Sequence, residues 1–292
     1  MLISSLFGKG SPTVSFEFFP PKTDLARESL MSAVDHLDQI SPDFVSMTYG
    51  AGGSTRALSI EAAAEIRSHT RALVMSHLTG VCHTRDEIAA VADQLWDLGI
   101  HNIMALRGDR PQETDQANPF ESFPFVKYLV SFLKERHDFC IGSGCYPEGH
   151  LETPNLAQGI LHLKEKVDAG CYFLVTQMFL ENDSYFRFVE LAQRSGITVP
   201  IIPGIMPVTG FSQLNKFETK FGVKLPDSLR NRVSEVEEDK AAIERIGVEW
   251  AVEQSQELLS GGAPGIHFYT LNKSMATVEV CELLGLHGTT SL

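Results

Sequence analysis

The sequence predicts an α/β protein, a single (β/α)8 (TIM) barrel that spans residues 1–292 and has extra helices before its last strand. Three observations indicate this fold class. The chain contains eight short apolar segments typical of buried strands, most of them are separated by about 30 residues with a helical pattern, and almost every one ends in a polar residue. We find no change in composition that marks a second domain. A doubly wound open sheet is the alternative, because periodicity does not distinguish it from a closed barrel.

The predicted strands are short runs rich in apolar and β-branched residues. They cover residues 14–18, 44–49, 73–78, 102–106, 139–145, 172–176, 200–202 and 265–269. In a parallel barrel the carboxyl ends of the strands converge on one mouth, where the chemistry of such folds takes place. The residues at these ends are therefore the first candidates for a site: Glu17, Thr48, Tyr49, His77, Arg107, Asp109, Tyr146, Gln177, Tyr269 and Thr270.

The predicted helices have recognisable boundaries. Thr84 and Glu87 form a capping-box pattern, apolar residues follow at steps of three and four, and Gly99 ends the pattern before the next strand. A second helix of this kind is predicted to begin at Thr153–Pro154 and to end before the strand at 172–176. The repeated order of helix, glycine and strand is what a chain of β-α units requires.

Charge and composition exclude several classes of partner. The 292 residues include 37 acidic and 24 basic side chains, which gives a formal net charge of -13 without any basic cluster. We therefore expect neither nucleic acid nor a membrane as a partner. The first ten residues lack the pattern of a signal peptide, and no run approaches the ~20 apolar residues of a membrane span. Five cysteines without a CxxC pair suit a reducing compartment, so the sequence predicts a cytoplasmic protein.

Glu17 lies in the first predicted strand, on the face opposite to Val14, Phe16 and Phe18. Both faces of a parallel barrel strand are covered, so this carboxyl group has no easy route to water. Burial favours the neutral form of a carboxyl group, which makes Glu17 a candidate general acid. The alternative is a structural glutamate bonded to a neighbouring strand, and this segment alone favours neither interpretation.

Two turns after predicted strands carry weaker signals. Arg107, Gly108 and Asp109 directly follow a buried strand and would place charge beside a cofactor or a cationic intermediate. A solvated turn with a surface ion pair is the simpler interpretation of this triplet. The glycine-rich segment 50–54 would expose backbone amides to an anion, but it matches neither GxGxxG nor a P-loop, and a flexible turn explains it better.

Other polar residues allow more than one explanation. The histidines and cysteine within residues 77–83 match no usual zinc pattern, so we expect no metal. Gln177 ends an apolar strand, where its amide can both donate to and accept from the edge of a heterocycle. Gln213 and Phe217 lie one helical turn apart, so an amide and a stacking ring would face one ligand, although helix packing explains the pair as well.

Nine segments stand in order along the chain, most of them at the ends of predicted strands. They are SFEFFPPK (15–22), VSMTYGAGGS (45–54), SHLTG (76–80), ALRGD (105–109), CYPEGH (145–150), LKEKVDAG (163–170), VTQMF (175–179), IIPGIMPV (201–208) and HFYTLN (267–272). Together they resemble the methylenetetrahydrofolate reductase family over nearly the whole chain. This resemblance implies a (β/α)8 barrel, in agreement with the strand count.

The resemblance implies a non-covalently bound FAD at the carboxyl mouth. NADH or NADPH would reduce it and leave, and 5,10-methylenetetrahydrofolate would then accept the hydride and become 5-methyltetrahydrofolate, a methyl source for methionine synthesis. No Rossmann fingerprint is present that would select one nicotinamide. Members of the family form dimers or tetramers, so we expect small-molecule substrates and a homo-oligomer.

The resemblance also implies roles for individual residues. Glu17 would be the general acid that assists opening of the five-membered folate ring to an iminium, and Asp109 would stabilise this cation. The flavin site would comprise Thr48, Tyr49, Ala51, His77, Arg107, Gly108, Asp109, Tyr146, His150 and Lys166. Phe217 would stack on the folate, whose site would comprise Gln177, Gln213, Phe217 and Lys273.

The chain departs from some members of the family at two places. On the helix that meets the adenylate part of FAD, some bacterial members present Asp, Asn, Arg and Lys, where this chain has Gly159, His162, Glu165 and Lys166. Lys273 stands where some members have Arg, which would put a point charge in place of a bidentate fork at the folate tail. Neither departure touches the expected reaction centre.

Two other functions fit part of these observations. A barrel methyltransferase that passes methyl groups from folate to a corrinoid would share the substrate and the fold but would need no flavin. A flavin- or folate-binding subunit of an electron-transfer complex would receive its electrons from a partner protein. The retention of Glu17 and Asp109 favours the reductase over both.

Overall fold

Nine strand segments form one parallel sheet in the computed structural model, which describes residues 1–49, 56–111, 118–153 and 155–288. Their hydrogen-bonded order is β7-β6-β5-β4-β3-β2-β1-β9-β8, and every neighbouring pair is parallel. The segments are β1 Thr13–Phe18, β2 Phe44–Met47, β3 Leu73–Thr79, β4 Asn102–Leu106, β5 Cys140–Cys145, β6 Phe173–Thr176, β7 Ile201–Ile202, β8 Gly204–Ile205 and β9 Gly265–Tyr269.

The short segments β7 and β8 are two halves of one interrupted strand. The first half pairs with β6 and the second with β9, while Pro203 between them has no N–H to donate to a sheet. The carbonyl oxygen of Pro203 accepts a hydrogen bond from His267 N at 3.0 Å. This strand therefore joins both of its neighbours, and the nearly closed ring confirms the predicted (β/α)8 barrel. The sequence predicted only its first half, within residues 200–202.

Helices surround the sheet and cover its outer face. The helices of the described residues are α1 Asp24–Asp38, α2 Arg56–His69, α3 Arg85–Asp97, α4 Val126–Arg136, α5 Leu156–Asp168, α6 Asn182–Arg194, α7 Phe211–Phe221, α8 Asp227–Ser234, α9 Lys240–Ser260 and α10 Met275–Leu284. α7, α8 and α9 all lie between β8 and β9, which confirms the extra helices predicted before the last strand.

Helix boundaries match the sequence signals at α3 and differ at α5. In the capping box of α3, Glu87 N donates to Thr84 Oγ1 at 3.2 Å and Thr84 N donates to Glu87 Oε2 at 2.8 Å. The predicted start of α5 at 153–154 was wrong, because the N-cap is Asn155, whose side chain accepts from Gln158 N at 3.2 Å. Thr153 lies in an isolated antiparallel bridge instead.

Strand alternation separates two layers of the core. On β1, Val14, Phe16 and Phe18 point outward into the main hydrophobic core beneath the helices. Ser15 and Glu17 take the other face, inside the barrel, and all six residues of the strand are buried. The predicted strand at 44–49 ends at 47 in the structure, so the two residues after it belong to the loops of the mouth.

The amino-terminal end of the barrel is closed by a plug. A 3-10 helix, Ile3–Ser5, lies beneath the strands, and Ile3 and Leu6 pack with inward-facing residues such as Phe44 and Phe173 in a second apolar cluster. Asn102 fixes the plug: its Oδ1 accepts from Ile3 N at 2.9 Å, and its Nδ2 donates to the carbonyl of Val74 at 3.3 Å. The plug therefore fills the interior of the barrel at this end.

Some further features bear on chemistry. The five cysteines all lie in the described part of the chain and form no disulfide there. Burial raises the pKa of the Cys145, Cys171 and Cys281 thiols to about 12. The described residues include no group of three or more His, Cys, Asp or Glu placed to hold a metal ion. None of the helices described has the length and apolar character needed to cross a bilayer.

Candidate active site

Two imidazoles converge on the carboxyl group of Glu17 inside the carboxyl end of the barrel. Glu17 Oε2 lies 3.4 Å from Nε2 of His77 on β3 and 3.7 Å from Nε2 of His267 on β9. Glu17 is 7% exposed and His267 is 0% exposed. Inward-facing positions on β1, β3 and β9 bring them together, and the small side chain of Ser46, which is opposite Glu17 on β2, leaves room for the rings.

Burial shifts the pKa of two groups near Glu17, His77 and Tyr269, toward their neutral forms. Burial lowers the pKa of His77, and the nearby Glu17 carboxyl only partly opposes this shift. Burial raises the pKa of Tyr269 well above its ordinary value, with the negative charge of Glu17 as the next cause. Tyr269 Oη donates to the carbonyl of Thr176 at 2.6 Å. A proton donor set in this dry environment suits general acid chemistry.

A second cluster lies at the ends of β4 and β5. Arg107 forms an ion pair with Glu152 at 2.6 Å, and the Tyr146 ring meets the His150 ring edge-on at 4.6 Å between centroids. Burial raises the pKa of Tyr146 to about 12, and the negative charge of Asp109 contributes to this shift. Burial, followed by the charge of Arg107, lowers the pKa of His150. The structure thus brings together the residues predicted at these two strand ends.

Gly108 shows why this turn needs glycine. Its φ is +86°, and a Cβ at this position would lie 2.3 Å from Cγ1 of Val81 and 3.1 Å from Cβ of Thr79. The backbone of the turn therefore packs directly against the end of β3. On either side of this glycine, Arg107 is half-buried and Asp109 is exposed at the mouth.

The other residues predicted for the flavin site lie at separate places around the mouth. Thr48 N donates to the carbonyl of Phe18 at 2.9 Å, and Tyr49 Oη lies 3.2 Å from His83 Nε2. Lys166 reaches from α5 to the carbonyl of Gly144 at 2.6 Å, and burial lowers the pKa of its ammonium group. The remaining residue of the predicted set lies outside the described residues: Ala51.

A cleft of about 580 Å³ opens beside the mouth, between α1 and the loops that follow β8 and β9. Gln213 and Lys273 line it, together with Tyr269. Gln177 stands at the end of β6, where its Oε1 accepts from Met178 N at 2.9 Å and its amide NH₂ has no other described bond. Tyr269, whose pKa the charge of Glu17 helps to raise, therefore connects this cleft with the mouth.

Phe217 does not share the cleft with Gln213. It is 1% exposed and packs in a third apolar cluster with Val208 and Leu214. The helical spacing predicts that Gln213 and Phe217 lie on one face of α7. In the structure the Phe217 ring is buried against the protein, while Gln213 lines the cleft. In this conformation Phe217 offers no surface for stacking.

Comparison with known proteins decides the family. The model of the methylenetetrahydrofolate reductase family matches residues 2–285. The 5,10-methylenetetrahydrofolate reductases of Pectobacterium carotovorum subsp. carotovorum and Escherichia coli (strain K12) are each 36% identical over 278 residues, which cover 95% of this chain and 92% of theirs. The chain belongs to the methylenetetrahydrofolate reductase family. This reductase is therefore an oxidoreductase of folate one-carbon metabolism that reduces methylenetetrahydrofolate.

Two further likenesses extend this comparison. Methylenetetrahydrofolate reductase 1 of Schizosaccharomyces pombe is 34% identical over 281 residues, which are 95% of this chain but 47% of the yeast protein. A solved protein of Clostridium thermocellum, described as binding two copies of 5-methyl-5,6,7,8-tetrahydrofolic acid, covers 96% of the reductase and 97% of its own chain with a TM-score of 0.64. At 14% identity this likeness supports the barrel fold alone.

Sequence reasoning missed several residues that the structure places in the candidate site. His267 and Thr79 lie on inward faces of strands, and Glu152 lies in the loop that pairs with Arg107. The inward face of β9 carried a usable signal, since His267 alternates with Tyr269, which the sequence did mark as a strand end. The Glu152 pair had no such signal, because it depends on how two loops fold together.

Proposed function

We propose that this reductase converts 5,10-methylenetetrahydrofolate into 5-methyltetrahydrofolate and thereby supplies methyl groups for methionine synthesis. When bound at the carboxyl mouth, FAD would supply the redox chemistry, as a carrier of hydride from NADH or NADPH to the folate in two separate steps. We assign this chemistry to residues 1–292 as a single catalytic domain. The observation that carries the proposal is Glu17, a buried carboxyl group between two histidines at the mouth of a barrel of this family.

The residues present fit a flavin. Thr79 Oγ1 and His77 Nε2 are buried polar atoms without a hydrogen-bond partner in the described part of the chain, and both stand on the inward face of β3 at the mouth. A buried polar group without a partner costs free energy, which a bound heterocycle would offset. The residues that would hold it are Thr48, Tyr49, Ala51, His77, Arg107, Gly108, Asp109, Tyr146, His150 and Lys166.

Glu17 would act on the folate alone. Its carboxyl proton would move to the amine nitrogen of the five-membered ring, the bond between that nitrogen and the methylene carbon would break, and a cationic iminium would remain. The carboxylate left behind would later take a proton from solvent. Hydride delivery to the methylene carbon then gives the methyl group. From the rim of the mouth, the negative charge of Asp109 would stabilise the positive charge of the iminium.

The folate would extend from the mouth into the cleft beside it. The amide NH₂ of Gln177, whose Oε1 accepts from Met178 N, would donate to the pterin or to the nicotinamide amide. Gln213 and Lys273, which line the cleft, would contact the rest of the folate, with the Lys273 ammonium near its carboxylates. Stacking by Phe217 would require its ring to leave the third apolar cluster, so we propose this contact only for the folate complex.

Turnover by the purified chain tests this function. We expect 5-methyltetrahydrofolate to form, as measured by chromatography, when FAD, methylenetetrahydrofolate and one of the two nicotinamides are present. Anaerobic titration of the flavin with NADH and NADPH in turn would identify the donor. A protein that transfers a methyl group without flavin would instead be a methyltransferase. A flavin that is bleached by neither nicotinamide would indicate an electron-transfer subunit, and either outcome would overturn the proposal.

A further inference from the structure

The loop after β9 contains two consecutive residues in the left-handed region of φ. Leu271 has a φ of 52° and Asn272 a φ of 58°. Residues with a Cβ adopt this conformation at a cost in free energy, which is larger for leucine than for asparagine. Such strain persists only where the surrounding structure holds it in place, and it is concentrated at functional sites. The strained loop leads directly into Lys273, which lines the cleft beside the mouth.

The Asn272 side chain holds this loop by two hydrogen bonds to the backbone of one residue. Its Oδ1 accepts from Phe19 N at 2.8 Å, and its Nδ2 donates to the carbonyl of Phe19 at 2.9 Å. Because β1 ends at Phe18 and β9 at Tyr269, the side chain continues the pairing of these strands beyond their last residues. The two bonds also define which way the amide points, since its oxygen only accepts and its nitrogen only donates.

Phe19 is a rigid anchor for these bonds. The segment Pro20–Pro21 follows it, which fixes two φ angles and restricts Phe19 itself to extended conformations. A second attachment lies at the start of the loop, where Thr270 Oγ1 donates to the carbonyl of Glu17 at 2.7 Å. The same Oγ1 accepts from Asn272 N at 3.2 Å. The loop is therefore attached to the end of β1 at two points, which are two residues apart.

A lysine at the end of this loop benefits from a fixed backbone. Its ammonium group is a point charge on a flexible stem, whereas the fork of an arginine aligns itself with a carboxylate. The backbone must therefore supply the direction that the side chain lacks. Lys273 N donates to the carbonyl of Thr270 at 2.9 Å, so its backbone belongs to the attached loop. In the part of the chain that the structure describes, Lys273 forms no ion pair that would occupy its ammonium group.

We propose that Asn272 is a positioning residue for the tail of the folate, which fixes the place of Lys273 by binding the loop after β9 to Phe19. This inference rests on the proposed function, in which Lys273 lies near the carboxylates of the folate. Asn272 contacts no reacting atom in this assignment. Its contribution is to the affinity for ligands with a negatively charged tail, and the affinity for the pterin end does not depend on it.

The first test compares two ligands of the FAD-loaded protein in Asn272→Gly. Glycine adopts the left-handed conformation without steric cost but has no side chain to bind Phe19. The ligands are 5-methyltetrahydrofolate and its diamide, in which both carboxylates of the tail are neutral. We expect calorimetry to show about a tenfold higher dissociation constant for 5-methyltetrahydrofolate, because one charged contact is misplaced. The dissociation constant of the diamide should stay within about twofold of wild type.

A double variant shows whether Asn272 acts through Lys273. Lys273→Ala should weaken the binding of 5-methyltetrahydrofolate about as much as Asn272→Gly does. The double variant should bind little more weakly than either single variant, because both changes remove the same contact. Additive losses would overturn the proposal. Equal losses for the two ligands in Asn272→Gly would mean that the residue is merely structural and would also overturn it.

Asn272→Ala separates positioning from stability. It loses the same two hydrogen bonds but keeps a Cβ in the left-handed conformation, so it should unfold at a lower temperature than Asn272→Gly. Its affinity for 5-methyltetrahydrofolate should nevertheless equal that of Asn272→Gly. Affinities that follow the unfolding temperatures of the two variants would contradict the proposal.

Ser41→Gly is the matched control. Ser41 also has a left-handed φ, of 54°, but it follows α1 at the amino end of the barrel. This variant relieves the same kind of strain and should leave both dissociation constants within about twofold of wild type.

Turnover distinguishes a failure of this inference from a failure of the proposed function. A wild type that binds 5-methyltetrahydrofolate with the expected dependence on Asn272, but forms none from methylenetetrahydrofolate, would refute the proposed function alone. A wild type that forms it, while Asn272→Gly binds both ligands as tightly as wild type, would refute the positioning role alone.

Discussion

The two ends of the barrel differ in the hydrogen bonding of their buried polar side chains. At the amino end, both polar atoms of the Asn102 side chain are bonded, to Ile3 N and to the Val74 carbonyl. At the carboxyl end, His77 Nε2 and Thr79 Oγ1 are buried without a partner in the described part of the chain. The two sets stand on adjacent strands, β3 and β4, so the difference does not come from the fold class.

This difference separates stability from chemistry. A hydrogen-bonded polar group inside a protein stabilises the structure around it. A buried polar group without a hydrogen bond lowers stability, and such groups are concentrated at functional sites. The bonded groups at the amino end therefore stabilise the structure, whereas the unbonded groups at the carboxyl end are the ones that we propose to bind a ligand. Substitutions at the two ends should affect different measurements, and the following predictions test this separation in order of decreasing effect.

The largest effect is expected for Glu17→Gln. Glutamine keeps the size of the side chain and its hydrogen bonds but has no proton to transfer. General acid catalysis contributes ~10²–10⁴-fold, so the folate step should slow by this order while flavin reduction by nicotinamide stays within a small factor. Stopped-flow absorbance of the flavin measures both steps on one preparation. Equal losses in both would instead assign Glu17 a structural role.

A smaller loss is expected for Asp109→Asn, which removes a charge without removing volume. Loss of one preorganised contact costs about 2.7–4 kcal/mol in buried sites, and because Asp109 is exposed we expect the lower end, roughly 10²-fold, on the folate step. FAD should remain bound, which its absorbance after gel filtration would verify. Unchanged reoxidation of the flavin by methylenetetrahydrofolate would contradict the role given to Asp109.

Asn102→Ala should have the opposite profile. It removes the side-chain bonds to Ile3 N and to the Val74 carbonyl, at about 1–3 kcal/mol for each bond. We expect the free energy of unfolding in urea to fall by at least about 2 kcal/mol while both half-reactions keep their rates. Asn231→Ala, an exposed position on α8, is the matched control and should change stability by less than about 0.5 kcal/mol. A slowed folate step in Asn102→Ala would break the separation between the two ends.

The smallest effect concerns an exposed ion pair at the amino-terminal rim. Arg136 and then His137 hold the pKa of Asp93 down, at about 2 against an ordinary 3.8. A lowered pKa contributes stability that is present above the ordinary value and is lost as pH falls through about 2. Thermal unfolding should therefore show Asp93→Asn slightly less stable than wild type at pH 6, with the gap narrowing below pH 4. A gap that is constant with pH would contradict this assignment.

The sequence predicts most of the fold because local signals agree with each other. The α3 capping box and the strand at 102–106 both match the structure, since each depends on neighbours in the chain. The interrupted seventh strand was only half predicted, because two-residue segments around Pro203 have no periodicity to detect. The α5 start was wrong by two residues because Asn155 is as good an N-cap as Thr153, and tertiary pairing decided between them.

The site is predicted less completely because its contacts join distant parts of the chain. Glu17 was identified as a buried carboxyl group from strand alternation alone. Its contact with His267, 250 positions later, depends on the register of β1 against β9, which no local pattern contains. Phe217 illustrates the converse, since helical spacing gives the face of a side chain but not whether that face is packed or open.

The interruption at Pro203 shortens the strand pairing of the barrel on both sides of this residue. Each half of this strand has only two residues, whereas β3 and β4 pair over five positions. The backbone N–H of His267 donates to the Pro203 carbonyl and so links the interrupted strand to β9. The same residue lies beside Glu17. A separation of the sheet at Pro203 would therefore move the backbone of His267, whose side chain lies 3.7 Å from the Glu17 carboxyl group.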